Sequence, residues 1–437
     1  MRFEQVRALY NRCNPDEPLD PDDERYVDID DHNVRGAQWS RRLARQIELS
    51  DSPVCLLFTG LRGTGKSTEL RQLAARLAAP TKRNLLPVLI DADDVLDLTT
   101  DIDVSDVLSM VLLHTERAVL IAEGRKPEAA LEDGAMRRLW NWLTRTGVEP
   151  KKIEVEGEVR GWKGKVEFDL KTNPTVRQQV REKVATYLST FMRVLHDELM
   201  LLEDRARKVG RSGIVVVFDS LEKLRGTSLT WKQVLESAER IFSGGAPYLQ
   251  LPVHVLYTIP PALTQRMSDP VSFLPMIKVR AINGTPHEDG FRAVYELINK
   301  RIGRDELEAM FGAGQVEHRI RELAEWSGGY PREILRTLQS LFELDRFPIT
   351  EQELQRQLRR AGNTYRSIVY NSGAIPWLGT VARTKKLITA TDAEREAAEL
   401  FLTNNVILRY LNDDEWFDVH PSVAGLDELR MPAAGQA

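Results

Sequence analysis

The feature that most constrains this chain is the segment GLRGTGKST at residues 60–68, which matches the pattern GxxxxGK[ST] in full. It lies between a short apolar run, residues 54–58, and residues 66–78, whose apolar positions recur at helical spacing. Glycines allow the backbone N–H groups to curl around an anion, and the start of a helix adds partial positive charge. The pattern therefore predicts a strand, a phosphate-binding loop and a helix, in that order.

Each residue type in this loop has an expected role toward a bound nucleotide. Lys66 is expected to contact the β and γ phosphates, and the Ser67 hydroxyl is expected to ligate Mg²⁺. The ordinary alternative, a chance glycine loop, is opposed by the flanking strand and helix patterns. ATP and Mg²⁺ are therefore the expected cofactors. The residues of this segment expected to bind the nucleotide are Gly60, Arg62, Gly63, Thr64, Gly65, Lys66, Ser67 and Thr68.

A second apolar run, IVVVFD at residues 214–219, is the most β-branched in the chain. Such a strand brings its final carboxylate, Asp219, to the C-terminal edge of a sheet, so Asp219 and Ser67 are the expected metal ligands. Serine, not glutamate, follows Asp219, and hydrolysis is therefore less strongly predicted than binding. Glu222 is a candidate general base, and a solvated helix residue is an equally good interpretation.

Two later residues are further candidates for the catalytic machinery. Thr258 follows an apolar strand pattern, and its hydroxyl is expected to orient the attacking water. In SGGYPR, residues 327–332, two glycines and a proline predict a turn that presents Arg332 at the start of a helix. Pro331 and Arg332 are expected at the nucleotide, with Arg332 on the γ-phosphate. A strand-end threonine and a surface arginine are the ordinary alternatives.

Composition limits the class of protein and its partners. Of the 437 residues, 42% are hydrophobic and 29% are charged, which is typical of globular proteins. No apolar run reaches the roughly 20 residues that a membrane span needs, so a cytoplasmic protein without membrane contact is expected. The net charge of −5 weakens a nucleic-acid function without excluding it. Cys13 and Cys55 lack metal-ligand spacing, so neither a zinc site nor a disulfide framework is predicted.

Alternating strand and helix patterns predict an α/β fold with a three-layer parallel sheet, followed by an α-helical lid and a C-terminal winged-helix-like domain. Further strands are expected at residues 86–90, 253–257 and 276–279, and a hairpin at 406–411 and 416–420. The predicted segments are an N-terminal arm and entry helix docked on the core (1–50), the ATPase core (51–283), the lid (284–348) and the winged-helix-like domain (349–437).

The block at residues 126–211 is longer than a minimal core requires. Alternation within residues 151–170 predicts a β-hairpin, and the following pattern predicts one long helix over 175–208. This insertion is a candidate surface for a protein partner.

Taken together, VRG before a helix, GLRGTGKST, IVVVFDSLEK, VLYT and SGGYPRE resemble the AAA+ and STAND group of P-loop ATPases. The resemblance is strongest to the initiator-like branch that ends in a winged helix. It covers residues 34–345 in good motif order and 350–437 more weakly. It implies that Arg332 is the sensor arginine of the lid and that Arg35 lies at the adenine pocket. The missing glutamate after Asp219 and the long insertion depart from the pattern.

The resemblance implies a nucleotide-dependent conformational or assembly switch of the kind found in bacterial-type signalling and defence, with slow ATP hydrolysis. A homo-oligomer or a protein partner would be its output. The alternative is a DNA-binding ATPase that uses the C-terminal winged helix, which the acidic sequence NDDEWFD opposes. A metabolic kinase is less favoured, because the lid and the winged helix have no role in that chemistry.

Overall fold

The structure is a computed structural model in which the chain forms two compact units. The P-loop unit comprises Met1–Arg42, Gly60–Arg71 and Phe273–Ala437, and the sheet unit comprises Leu43–Thr59 and Gln72–Ser272. The structure describes residues 1–130, 134–145, 174–224, 226, 230–244, 246–412 and 414–430. Within this part of the chain, every helix is too short or too polar to span a bilayer.

A five-stranded sheet forms around the β-branched runs. Its strands are β1 (Cys55–Gly60), β2 (Leu86–Asp91), β3 (Ile214–Asp219), β4 (His254–Thr258) and β5 (Ser272–Leu274), in the order β2-β3-β4-β1-β5. The pairs β2–β3, β3–β4 and β1–β4 are parallel. Ile214 and Phe218 at either end of the apolar part of β3 are fully buried, as expected of a strand covered on both faces. The predicted α/β class is confirmed.

Helices occupy most of the remaining described chain. In chain order they are α1 (Phe3–Arg12), α2 (Trp39–Leu49), α3 (Lys66–Ala78), α4 (Ala92–Val95), α5 (Val104–Ala122), α6 (Ala135–Arg145), α7 (Pro174–Thr186), α8 (Leu188–Lys208), α9 (Trp231–Phe242), α10 (Glu288–Ile302), α11 (Arg304–Phe311), α12 (Val316–Ser327), α13 (Pro331–Phe342), α14 (Glu351–Ser372), α15 (Ile375–Thr384), α16 (Asp392–Thr403), α17 (Pro421–Ala424) and α18 (Asp427–Arg430).

Two predictions concern the segment between β2 and β3 of the sheet unit. The single helix expected over residues 175–208 is two helices, α7 and α8, separated at Tyr187, whose φ of −125° and ψ of 34° are not helical. The break allows Val184 of α7 and Phe191 of α8 to be buried in the same apolar cluster. The predicted hairpin at 151–170 lies outside the described residues.

The strand predicted at residues 276–279 is wrong, because β5 ends at Leu274. The backbone N–H groups that follow bond to three separate segments instead of one neighbouring strand. Met276 donates to the Arg409 carbonyl (3.0 Å), Ile277 to that of Gly329 (3.2 Å) and Lys278 to that of Val34 (3.1 Å). Buried N–H groups need partners, and here they find them without a ladder.

In the P-loop unit, the N-terminal arm contains a helix that the sequence analysis did not predict. Leu9 of α1 and the adjacent Cys13 are buried in one apolar cluster with residues of α10 to α14. Arg12 also donates from Nε to the Arg301 carbonyl (2.7 Å). This first helix of the arm therefore packs on α10 to α14.

The C-terminal segment consists of α14 to α18 and a hairpin of two antiparallel strands, β6 (Ile407–Leu411) and β7 (Glu415–Val419). Capping boxes begin α14 and α16, where Thr350 and Thr391 accept from backbone N–H groups as their spacing predicts. The hairpin lies within a residue of its expected bounds. The winged-helix assignment and the bounds of the four predicted segments remain predictions.

Candidate functional site

The loop between β1 and α3 has the curled backbone that its sequence predicts. Gly63 (φ +79°) and Gly65 (φ +99°) adopt the left-handed region that glycine enters most easily. The Lys66 side chain is only 3% exposed, and its Nζ donates to the carbonyls of Gly60 (2.9 Å) and Leu61 (3.1 Å). Lys66 and Ser67 form the first turn of α3, the end at which a helix carries partial positive charge.

The tip of the loop contacts the start of α13, the helix that the SGGYPR turn introduces. The Arg332 backbone N–H donates to the Gly63 carbonyl (3.3 Å). A Cβ atom at Gly63 would lie 2.7 Å from Cδ of Arg332 and 2.9 Å from Cε2 of Tyr330. Glycine is therefore required here by packing as well as by its φ angle. Pro331 occupies the first position of α13, where its missing N–H costs nothing.

The Arg332 side chain is 15% exposed and forms an ion pair with the N-terminal arm. Its Nη2 lies 2.9 Å from Oδ1 of Asp16, and Nη2 of Arg336, one turn later on α13, lies 4.0 Å from the same oxygen. Arg332, the expected γ-phosphate sensor, thus contacts a carboxylate that belongs to the same unit. Sequence reasoning did not identify Asp16, because nothing near it marks it as a partner of a residue so far along the chain.

Asn405, in the turn between α16 and β6, also contacts the loop. Its Nδ2 donates to the Arg62 carbonyl (3.2 Å) and to the Tyr330 hydroxyl (2.7 Å). Leu61, the neighbour of Arg62, is 2% exposed and belongs to the apolar cluster of the C-terminal helices and hairpin. No sequence pattern predicts a contact of Asn405 with the loop. The one available signal was its residue type, since asparagine tolerates the left-handed φ of +55° found there.

Arg35 lies in the interior, with 1% of its surface exposed. Its Nη2 donates to the Thr64 carbonyl (2.7 Å), and Nη1 forms ion pairs with Asp30 (3.8 Å) and Glu69 (3.7 Å). Burial raises the pKa of both carboxyl groups, and for Glu69 burial and the nearby Asp30 raise it to about 7. Arg35 therefore supports the loop through a backbone carbonyl. Its expected place at the adenine remains a prediction.

Residues 18–20 of the arm lie along the first turns of α3. The Leu19 N–H donates to Oγ1 of Thr68 (3.1 Å). Nη1 of Arg71 donates to the Pro18 carbonyl (3.1 Å) and contacts Oδ1 of Asp20 (2.6 Å). The end of the phosphate-loop motif is thus covered by a segment near the N-terminus, which the acidic, turn-rich composition of the arm did not reveal.

In the sheet unit, the ends of β3 and β4 bring three predicted residues together. Asp219 ends β3, and its Oδ1 accepts from the Ser220 N–H (2.7 Å). Thr258 ends β4 and is fully buried. Its hydroxyl accepts from the Leu221 N–H (3.0 Å) and donates to the Phe218 carbonyl (3.4 Å). The Thr258 side chain therefore anchors the turn that follows Asp219.

The turn after β3 buries Glu222, which is 8% exposed and is held in a short 3₁₀ turn, Leu221–Lys223. Ser220 precedes it with a φ of +66°, an unfavourable value for serine that the anchoring bonds maintain. Glu222 is thus not the solvated helix residue that one interpretation expected. Its role as a base remains a prediction.

Further carboxylates lie at the same edge of the sheet. Asp91 ends β2 in register with Asp219, and Lys223 forms an ion pair with Asp93. Burial opposes the charge of Lys223, but the bond to Asp93 and the nearby Asp91 and Glu222 outweigh burial and raise its pKa. Lys223 therefore balances part of the negative charge there.

The P-loop unit brings together the loop residues, Arg35, Pro331 and Arg332, and the sheet unit brings together Asp219, Glu222 and Thr258. The fold is a P-loop NTPase fold. No family model matches the chain, and no curated protein matches it.

Several solved structures are similar over most of their length. A Walker-type ATPase of Pyrococcus abyssi has 13% identity and a TM-score of 0.39, covering 90% of this chain and 94% of that one. The ORC2 protein of Aeropyrum pernix, in ADPNP–ADP complexes, has 12% identity and a TM-score of 0.40, with coverage of 95% and 94%. Drosophila ORC bound to DNA has 14% identity and a TM-score of 0.35, with coverage of 98% and 92%. At these values, function is inferred from the residues of this chain.

Proposed function

We propose that this protein is an ATP-binding switch ATPase of the AAA+/STAND kind, in which the phosphate loop controls the lid and the C-terminal segment. One observation carries the proposal. Two successive loop carbonyls, those of Arg62 and Gly63, accept hydrogen bonds from Asn405 and from the Arg332 backbone. A change in the shape of the loop on binding phosphate would alter these two hydrogen bonds. The conformation of the loop would therefore be coupled to the segments that carry Asn405 and Arg332.

The residue set fits a nucleoside triphosphate. The left-handed glycines, the lysine at the start of α3 and the adjacent hydroxyl of Ser67 are the groups that hold β and γ phosphates. Ser67 and Asp219 would hold Mg²⁺, which would neutralise phosphate charge when bound. The metal assignment depends on the two motifs.

Arg332 would act as the sensor that links the γ-phosphate to the lid. Its guanidinium contacts Asp16, and a γ-phosphate would compete with that carboxylate for the same donors. The arm and the lid would therefore have two arrangements, one with Arg332 paired with Asp16 and one with Arg332 on the γ-phosphate. A switch requires two such arrangements whose populations depend on the nucleotide.

Hydrolysis would be slow and would use Glu222 as the base. A water oxygen would attack the γ-phosphorus as the bond to the bridging oxygen breaks, and the proton of that water would pass to the Glu222 carboxylate. The Thr258 hydroxyl fixes the turn that carries Glu222. The absence of a glutamate next to Asp219 is the reason to expect low turnover.

The output would be self-assembly or binding of a protein partner, in a setting such as bacterial-type signalling or defence. The alternative is DNA binding by the C-terminal segment. Against it, Lys385 is paired with Asp418 (2.7 Å) and Arg409 with Glu415 (2.7 Å) within the hairpin region. These pairs reduce the positive charge that is available there to bind the phosphates of a DNA duplex.

The first experiment measures ATP binding by calorimetry, phosphate release with and without duplex DNA, and particle mass with and without ATP. The proteins are wild type, Lys66→Ala, Glu222→Gln and the control Lys82→Ala, an exposed lysine outside the loop. We expect Lys66→Ala to weaken ATP binding by about 100-fold, because it removes a buried phosphate-binding cation. Glu222→Gln should bind ATP but lose turnover.

ATP should also change the particle mass of the wild type, and DNA should leave turnover unchanged. Absence of ATP binding by the wild type would refute the proposal. Stimulation of turnover by DNA would favour the DNA-binding alternative instead.

A further inference from the structure

A polar cavity lies in the P-loop unit, between the facing sides of α13 and α14. Its volume is about 440 Å³, within the range of sites that hold small ligands. Residues 332, 336, 337 and 340 line it from α13, and residues 357, 360, 361 and 364 line it from α14. These spacings of three and four are those of one helix face, so both helices present a continuous side to the cavity.

The lining is strongly basic. Its arginines are Arg62, Arg332, Arg336 and Arg360. Glu333 is the acidic residue among the described residues that line the cavity, and it accepts a hydrogen bond from the Tyr365 hydroxyl (3.2 Å). Burial raises the pKa of Glu333, which reduces its negative charge. An excess of guanidinium groups around a cavity of this size suits an oxyanion.

A buried hydroxyl adds a second, independent sign of a ligand. Thr337 is 3% exposed and lines the cavity, and its Oγ1 has no hydrogen-bond partner in the described part of the chain. The proton of such a hydroxyl can rotate toward an acceptor that enters the cavity. A phosphate oxygen would satisfy it.

The cavity also adjoins the groups that hold the phosphate loop. Arg62 and Arg332 belong to its lining, and so does Asn405, which donates to the Arg62 carbonyl. Asp16 contacts both Arg332 and Arg336 and is therefore an internal competitor for two of the cavity's cations. An anion bound here would change the charge balance around residues that contact the loop tip.

We propose that this cavity is a second anion site, which binds a small phosphate- or pyrophosphate-bearing molecule separately from the nucleotide on the P-loop. Its cations are Arg336 and Arg360, assisted by Arg332 and the Thr337 hydroxyl. The bound anion acts on the switch through Arg332 and Asn405. Binding of the anion is independent of ATP binding, whereas its effect on the switch rests on the proposed function.

The test titrates inorganic pyrophosphate into the full-length protein by calorimetry at constant ionic strength. Arg336→Ala and Arg360→Ala should each weaken binding by about tenfold or more, since each removes a charge-assisted hydrogen-bond donor. Thr337→Val should weaken it severalfold, and Asp16→Asn should strengthen it. Arg359→Ala is the matched control, because Arg359 is an exposed neighbour on α14 that does not line the cavity.

Lys66→Ala separates this site from the P-loop. The proposal expects pyrophosphate binding to persist in Lys66→Ala and to fall in Arg360→Ala, whether or not the protein binds ATP. It is overturned if Lys66→Ala abolishes binding while Arg360→Ala does not. Equal losses in Arg359→Ala and Arg360→Ala, or no binding by the wild type, would also overturn it. Melting temperatures of all variants check folding, and Arg360, which is exposed, gives a variant that should fold normally.

Discussion

The phosphate loop and the edge of the sheet are positioned in different ways. The loop is held by residues far apart in sequence, including Arg35, Arg332 and Asn405, which bond to three consecutive carbonyls at residues 62–64. The turn after β3 is held from within the sheet unit, by the Thr258 hydroxyl of the adjacent strand and by the ion pair of Lys223 with Asp93. The loop is thus exposed to movements of the arm, lid and C-terminal segment, whereas the turn depends on the sheet. The proposed switch would use the first arrangement, and Glu222, the proposed base, would use the second.

The largest expected effect is the loss of unfolding free energy when the buried Arg35, which bonds to the loop, is replaced. Arg35→Met would leave Asp30 and Glu69 buried near each other without their cation, which should cost about 3–5 kcal/mol of unfolding free energy. Urea unfolding followed by fluorescence measures the loss.

Arg41→Met is the matched control, since Arg41 pairs with Asp28 at the surface with 48% of its side chain exposed. Its loss should cost no more than about 1 kcal/mol. Similar losses of unfolding free energy for the two variants would show that the loop does not depend on the buried network of Arg35. The difference drawn above between the loop and the turn after β3 would then be wrong.

The same contrast explains what could be predicted from the sequence. The strands and α3 follow from β-branched runs and helical spacing, which are local properties. The loop's curl follows from its glycines. The contacts of Asp16 and Asn405 depend on how the chain returns in three dimensions, and no local pattern encodes that. The strand expected at 276–279 failed for a related reason, because its N–H groups bond to distant segments.

The sheet edge shows a second limit of sequence reasoning. From the sequence, a solvated residue is an equally good interpretation of Glu222, since burial of a residue after a strand depends on the turn that follows. That turn needs Ser220 at a φ of +66°, which residue preferences do not predict for serine. The hydroxyl of Thr258 stabilises this turn by accepting from the Leu221 N–H. The sequence identifies Thr258 as a candidate residue, but it does not predict this hydrogen bond.

A medium effect is expected at this edge. Thr258→Val keeps the shape of the side chain but leaves the Leu221 N–H buried without its acceptor, at a cost of about 1–3 kcal/mol. If the turn positions Glu222, phosphate release should fall more than ATP affinity does. Thr258→Ser, which retains the hydroxyl, should preserve both. Loss of ATP affinity with unchanged turnover per bound ATP would contradict local control of the base by this turn.

The smallest expected effect concerns the bond between the C-terminal segment and the loop. Asn405→Ala removes the donor to the Arg62 carbonyl and the bond to Tyr330, so unfolding free energy should fall by about 1–2 kcal/mol. Asn404→Ala, at the exposed neighbouring position, should have little effect. The decisive measurement is hydrogen exchange of residues 403–411 with and without ATP. In the wild type, ATP should change their protection, and in Asn405→Ala that response should shrink while ATP still binds. An unchanged response would mean that the hairpin is coupled to the nucleotide through other contacts. The buried side chain of Leu61 is the next to test.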